Sequence, residues 1–281
     1  MKIKIITSVI ILIIFALLFF LQKRIISNNK SSLIEKKIFD NSYINQKTSN
    51  NFILDTSQKL ELPKITSQDD VIKHTGYSLL YDEYHEQAAW VAYALTKVKT
   101  QKKHKRTNKF IVDPNVTTGS ATNLDYLKSG YDRGHLVPAA DMAWSNQSII
   151  ESFYYSNMSP QNPSFNRGIW KKLEKLIRTW AVKNSCIYIV TGPVLSKDLL
   201  KIGINNVSVP NYFYKVVLDY NDLEKKGIGF ILPNENSSKD LSHFAVSIDS
   251  VERATGIDFY SSLPDEEEIF IEKNVCFPCW D

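Results

Sequence analysis

Residues 131–142 read YDRGHLVPAADM. Asp132, Arg133 and His135 crowd four positions, yet Leu136, Val137 and Pro138 follow at once. A core strand rarely carries three such polar groups, and a surface loop rarely runs on into apolar ones. The stretch reads as backbone held rigid so that a few side chains point at something. An imidazole with an ordinary pKa near 6.5 takes a proton from water at neutral pH. Arg133, two residues away on an extended segment, projects to the same side as His135. A guanidinium there can grip a phosphate through two hydrogen bonds. Gly134 between them permits close approach of a ligand or unusual backbone angles. Taken alone, a single histidine is more often structural.

The second informative stretch is NMSPQNPSFNRGIWKKLE, residues 157–174. Ile169, Trp170, Leu173, Leu176, Ile177 and Trp180 recur at helical spacing. The spacing predicts one long helix from an N-cap at Asn166 to a stop at Asn184. Asn157 and Asn166 offer neutral oxygens. Mg²⁺ takes hard oxygen ligands and keeps several waters, so one asparagine suffices where a phosphate supplies the rest. The positive end of a helix at Asn166 also favours an anion, while the plain alternative is a capping residue. Glu174 falls about 12 Å along a continuous helix from Asn166 and roughly 80° round it. From there it either serves water near a metal or pairs with Arg178 one turn later.

The remaining pattern fits a globular chain: 281 residues, 43% apolar and 12% aromatic. YSLLYDEYH and AAWVAYALTK read as an antiparallel pair of strands. ATNLDYLKSG and SNQSIIESF read as short helices or turns, and CIYIVTGPVL, YFYKVVLDY and KGIGFILPN as three buried strands. IDSVERATG reads as a helix ending at Gly256. This order predicts an α+β fold with a mixed or antiparallel central sheet flanked by helices, not a doubly wound parallel sheet. Net charge is a modest +4, but seven Lys and Arg residues fall between Lys97 and Lys109 with no acid among them. Either this is a solvated loop, or it is a patch that meets a polyanion.

Lys2 and Lys4 precede an apolar run from Ile5 to Leu21, and Gln22-Lys23-Arg24 follow without a small-residue cleavage site. As a helix the run reaches about 25 Å, near the lower limit for a bilayer. Residues 1–24 are therefore expected to be an uncleaved transmembrane signal anchor, with secretion after cleavage as the alternative. The absence of cysteine near residue 20 excludes a lipid-modified cysteine. The bulk of the chain is expected outside the cytoplasm. Residues 25–70, rich in Ser, Asn, Lys and Gln, read as a largely irregular tether. That leaves 71–281 as the working domain. Cys276 and Cys279 form a lone C-x-x-C. A zinc site would need two more ligands, whereas a small disulfide loop stays open as a possibility. Cys186 reads as a small buried apolar residue.

Taken together, D-R-G-H, then N-M-S-P-Q, then N-R-G-x-W-x-x-L-E resembles the DNA/RNA non-specific endonucleases of the ββα-metal class. Secreted bacterial sugar-non-specific nucleases and mitochondrial endonuclease G belong to that family. The likeness runs from about Tyr77 to Glu272 and includes VAYALTK, the DP of KFIVDP, the TGP of VTGPVL and TGIDF. The resemblance implies that His135 is the general base and that Arg133 stabilises charge on the phosphate. Asn166 would be the lone direct protein ligand of Mg²⁺, with Mn²⁺ as the other ion to consider. Glu174 would order the metal's water, Asn157 would support the geometry, and Arg106 with Lys105 would touch substrate. Asp132 would hold the loop. DNA and RNA would be cut alike, leaving 5′-phosphate ends, because phosphate contacts carry no sequence information. Two other readings stay open: a catalytically silent nucleic-acid-binding protein of the cell envelope, and a metal-dependent phosphodiesterase for a small or lipid substrate. Neither an inhibitor protein nor an oligomeric state is legible.

Overall fold

The computed structural model describes residues 59–221 and 224–281. Lys59–Asp281 forms one compact unit. Its strands are β1 (Val71–Lys73), β2 (Ser78–Asp82), β3 (Gln87–Thr96), β4 (Asp132–His135), β5 (Met158–Gln161), β6 (Cys186–Pro193), β7 (Lys201–Ile202), β8 (Val207–Ser208), β9 (Tyr212–Tyr220), β10 (Lys225–Pro233) and β11 (Ala245–Val246). The helices are α1 (Asn123–Tyr126), α2 (Ala139–Met142), α3 (Asn146–Glu151), α4 (Lys171–Lys183), α5 (Ile248–Thr255) and α6 (Asp265–Lys273). Seven strands make the main sheet in the order β1-β2-β3-β6-β9-β10-β11, and every pairing is antiparallel. The α+β class and the antiparallel sheet are as the sequence predicts.

Both faces of this sheet are covered, which is why its central strands read as continuous apolar runs instead of alternating ones. Val91, Tyr93 and Leu95 of β3 join Phe213 and Val217 of β9 in one core, packed against Leu173, Ile177 and Trp180 of α4. The intervening Trp90 and Ala92, with Val216 and Leu218, face a second core roofed by Ile248 and Val251 of α5 and Ile271 of α6. Leu60 is buried in that second core, and the Lys64 N–H donates to the Asp258 carbonyl at 2.8 Å. The α5 helix ends as expected: Gly256 takes a left-handed φ of 73° and its N–H returns to the Glu252 carbonyl. Cys276 and Cys279 are joined in a disulfide, while Cys186 is free and only half-buried.

Between β3 and β6 the chain leaves the sheet for residues 97–185, and the Lys97 N–H meets the Ser185 carbonyl at 2.7 Å where it returns. This excursion carries β4 and β5, paired antiparallel from Asp132↔Gln161 to His135↔Met158.

The predicted helix over 166–184 needs correction. Asn166–Trp170 forms a wide π-type turn interrupted at Gly168 (φ −102°, ψ −110°), and the regular helix starts only at Lys171. Asn162, not Asn166, acts as a cap, for the single turn Pro163–Phe165: its side chain accepts from the Ser164 N–H at 3.0 Å. Asn184 does end the helix, its N–H donating to the Trp180 carbonyl. The transmembrane helix expected over 1–24 lies outside the described residues. Among the described residues no helix is long and apolar enough to cross a membrane.

Candidate active site

One face of the excursion and the start of α4 enclose a cleft of about 480 Å³. Arg133 and His135 of β4 line it together with Asn166, Glu174, Arg106 and Phe110. The sequence-predicted residues thus converge, with two exceptions. Lys105 is exposed on the basic loop and does not line the cleft, whereas Lys102 does. Asn157 is fully buried behind it.

His135 is 8% exposed. Its ring sits edge-on to Phe153 at 4.8 Å between centroids and to Phe110 at 5.9 Å. Each of those rings carries an arginine: the Arg133 guanidinium lies 4.1 Å from the Phe110 centroid, and Arg106 lies 5.0 Å from that of Phe153. The aromatic pair therefore holds two cations beside one imidazole. Burial first, then Arg106 and Arg133, push the His135 pKa down to about 3. The ring is neutral at pH 7, and its buried Nε2 has no hydrogen-bond partner. A nitrogen so placed costs about 1–3 kcal/mol unless something donates to it or accepts from it.

Position 135 is fixed from behind. The Asn157 Oδ1 accepts from the Val137 N–H at 2.9 Å, and its Nδ2 donates to the carbonyls of Val137 (3.0 Å) and Ser152 (2.8 Å). Its amide is wholly occupied with backbone. Trp170 Nε1 donates to the His135 carbonyl at 3.4 Å. At Gly134 a Cβ would fall 2.1 Å from the Gln161 side chain on the paired strand, so any larger residue would have to displace that side chain.

Asp132 joins the strand to the π-type turn. Its Oδ2 accepts from Asn166 Nδ2 (2.9 Å) and Arg167 Nε (2.8 Å), and its Oδ1 from Arg167 Nη2 (2.6 Å). Burial alone would raise the Asp132 pKa, but the hydrogen bonds from Arg167 and Asn166 outweigh it and hold the carboxyl below its usual range. The same contact fixes the sense of the Asn166 amide. No described residue donates to its Oδ1, so a residue lining the cleft offers it a free neutral oxygen. That oxygen, a carboxylate at Glu174 and open volume suit a hard cation.

Glu174 does not pair with Arg178. Arg178 donates to Asp141 at 2.5 Å instead, and Tyr93 donates to the other oxygen of Asp141 at 2.9 Å. Beneath Glu174 lies Lys215, a buried cation that periodicity alone did not flag. Its Nζ donates to the Leu136 carbonyl (3.2 Å) and Thr191 Oγ1 (2.9 Å), and lies 4.4 Å from the Trp170 ring centroid. Burial drives the Glu174 pKa up and the Lys215 pKa down, each effect partly offset by attraction between the two. Arg167, the arginine of the N-R-G motif, and Lys171 just beyond it also line the cleft, a place the sequence reading did not assign them. The cleft is accordingly rich in cations facing only two carboxylates, Asp132 and Glu174.

The sequence matches the DNA/RNA non-specific endonuclease family over residues 58–266. The mitochondrial nuclease EXOG of Danio rerio is 34% identical over 69% of this chain and 62% of its own length. The mitochondrial endonuclease G of Bos taurus is 35% identical over 67% of this chain and 68% of its own. The chain spans about three fifths of the length of the EXOG relatives from Danio rerio, Mus musculus and Homo sapiens. A solved EndoG/EndoGI complex superposes with a TM-score of 0.68 at 32% identity, covering 74% of this chain and 91% of that one.

These relatives correct the expected membrane-anchored, extracytoplasmic placement. The proteins from Danio rerio, Bos taurus and Schizosaccharomyces pombe are mitochondrial nucleases. An apolar run between basic residues suits more than one cellular address, so hydropathy alone did not choose correctly. With the family matched over most of its length and relatives sharing a third of its residues, this protein belongs to the DNA/RNA non-specific endonucleases.

Proposed function

We propose that this protein is a Mg²⁺-dependent endonuclease that hydrolyses phosphodiester bonds of DNA and RNA without regard to sequence. The observation that carries this reading is the unpartnered His135 Nε2, in a cleft shared with the free amide oxygen of Asn166 and two arginines. His135 acts as general base: its neutral ring takes a proton from water aligned for in-line attack on phosphorus. Arg133 and Arg106 face the charge that gathers on the phosphate oxygens. Asn166 would hold Mg²⁺, or Mn²⁺ in its place, through Oδ1, and Glu174 orders water beside it. When bound, the cation supplies Lewis-acid stabilisation of the phosphate and of the departing 3′ oxygen. The products carry 5′-phosphate and 3′-hydroxyl ends.

Asn157 does no chemistry in this reading; it holds the backbone that carries His135. The basic loop, Lys105 included, adds affinity for the nucleic-acid backbone that weakens with salt. Residues 71–281 are the hydrolytic domain, with 59–70 packed against it. The test is a digest of supercoiled DNA and of RNA by the purified protein. Mg²⁺ should support cutting, EDTA should stop it, and His135→Ala should slow it by about a hundredfold or more. A His135→Ala protein that cuts at the wild-type rate would sink the proposal. Salt-sensitive binding without any metal-dependent cutting would instead favour a silent binding protein.

A further inference from the structure

The sheet face opposite the α4 core carries α5 and α6, and there three carboxylates meet. Asp249 and Glu252 lie three residues apart on α5 and so share one helical face. Glu272 comes from the last turn of α6. One carboxylate oxygen from each lies within 4.8 Å of the other two. Glu272 is the telling member. It is 6% exposed, and its Oε1 is shut off from solvent with no hydrogen-bond partner. Asp258 and Glu268 add further negative charge nearby.

The neighbouring cations are engaged elsewhere. Lys64 pairs with Asp258 at 2.9 Å, and Arg253 donates to Ser250 Oγ at 2.8 Å. Among the described residues none forms an ion pair with Asp249, Glu252 or Glu272. Glu252 spends one oxygen on the Phe259 N–H at 2.8 Å and keeps the other. A buried carboxylate among like charges is costly unless paired or bound to a cation.

We infer that Asp249, Glu252 and Glu272 form a divalent-cation site of the Ca²⁺ type that clamps α5 to α6. Three oxygens no more than 4.8 Å apart lie at most about 2.8 Å from a common centre, and Ca–O distances run from about 2.3 to 2.6 Å, so at most a small contraction closes the site. Mg²⁺ demands about 2.0–2.1 Å and a near-ideal octahedron, whereas Ca²⁺ accepts the irregular geometry that carboxylates from two helices offer. None of the three residues lines the catalytic cleft. The inference therefore stands apart from the catalytic reading, and the role is structural: the cation fastens the C-terminal helix to its neighbour.

The test is thermal unfolding of the whole protein, freed of metal with EDTA, dialysed and titrated with CaCl₂. Wild type should show a saturable rise in Tm of about 5–10 °C at a hundredfold excess over the dissociation constant. Glu272→Gln should unfold at a higher temperature than wild type without calcium, and should lose the calcium response. Asp249→Asn, at a half-buried position, carries the same comparison should Glu272→Gln fold poorly. Asn166→Ala should keep the full response. The inference is overturned by the lack of a saturable rise in wild type, by a response that survives both carboxylate substitutions, or by one abolished in Asn166→Ala.

Discussion

Replacing Asn157 by alanine separates a positioning role from a chemical one. The side chain is 0% exposed and its amide makes three hydrogen bonds, to the Val137 N–H, the Val137 carbonyl and the Ser152 carbonyl. Asn157→Ala strands all three backbone groups in the interior, at about 1–3 kcal/mol each. A water entering the space left by the amide recovers part of this, so the net loss should be about 3–5 kcal/mol. For a domain of this size that lowers Tm by roughly 10 °C. Urea unfolding followed by tryptophan fluorescence should show a lower midpoint with an unchanged slope. Below its midpoint the variant should also cut DNA more slowly, because Val137 lies two residues from His135, while the salt dependence of DNA binding stays as in wild type. Asn157→Asp keeps an acceptor for the Val137 N–H but turns a carboxylate oxygen toward two carbonyls. It should be destabilised at pH 7 and partly recover near pH 4, where the protonated acid donates again. If Asn157→Ala unfolds within about 0.5 kcal/mol of wild type yet loses activity, Asn157 touches substrate and the clamp is the wrong explanation.

Four further outcomes follow from the cleft. His135→Ala should lower kcat in a plasmid-nicking assay by about 10²–10⁴ with its fold intact by circular dichroism, and a smaller loss would remove the general base from the mechanism. The folded-state pKa of His135 is lowered from 6.5 to about 3. Its contribution to stability is therefore present above pH 6.5 and lost as pH falls toward 3, roughly 4–5 kcal/mol over the full window; a histidine NMR titration should show this ring unprotonated at pH 5, and a midpoint near 6.5 would contradict its burial. Asp132→Asn should raise the half-saturating Mg²⁺ concentration about tenfold or more in activity assays, since Asp132 orients the Asn166 amide. Lys102→Ala should weaken DNA binding equally across sequences and lower the slope of log K against log salt by about 1.

Much of the fold could be read from single residues, and the misses have identifiable causes. β2, β3, β6, β9 and β10 were legible because apolar residues fill both faces of each. DRGH was legible because its polar side chains interrupt such a run. The π-type turn at Asn166–Trp170 was not, since Ile169 and Trp170 keep the helical period through a backbone break that Gly168 permits. Lys215 looked like one polar residue in an apolar strand, and periodicity does not say that an aromatic face and a carboxylate wait across the sheet for its ammonium. Of the two roles open to Glu174, the pair with Arg178 is not the one formed, because sequence spacing weighs helical neighbours and not Asp141, thirty-seven residues away.

The main sheet is laid down in chain order, and every residue lining the cleft comes from the single departure between β3 and β6. Part of the wall behind that departure, however, is made after it: Trp170 rests on Phe213, and Trp180 on Phe230. On the ribosome, Glu174 emerges about forty residues before Phe213 and the strand that carries it. In the proposed reading, a nascent chain thus holds the residues assigned to the cleft while Phe213 and Phe230 are still to come, and their alignment waits on β9 and β10.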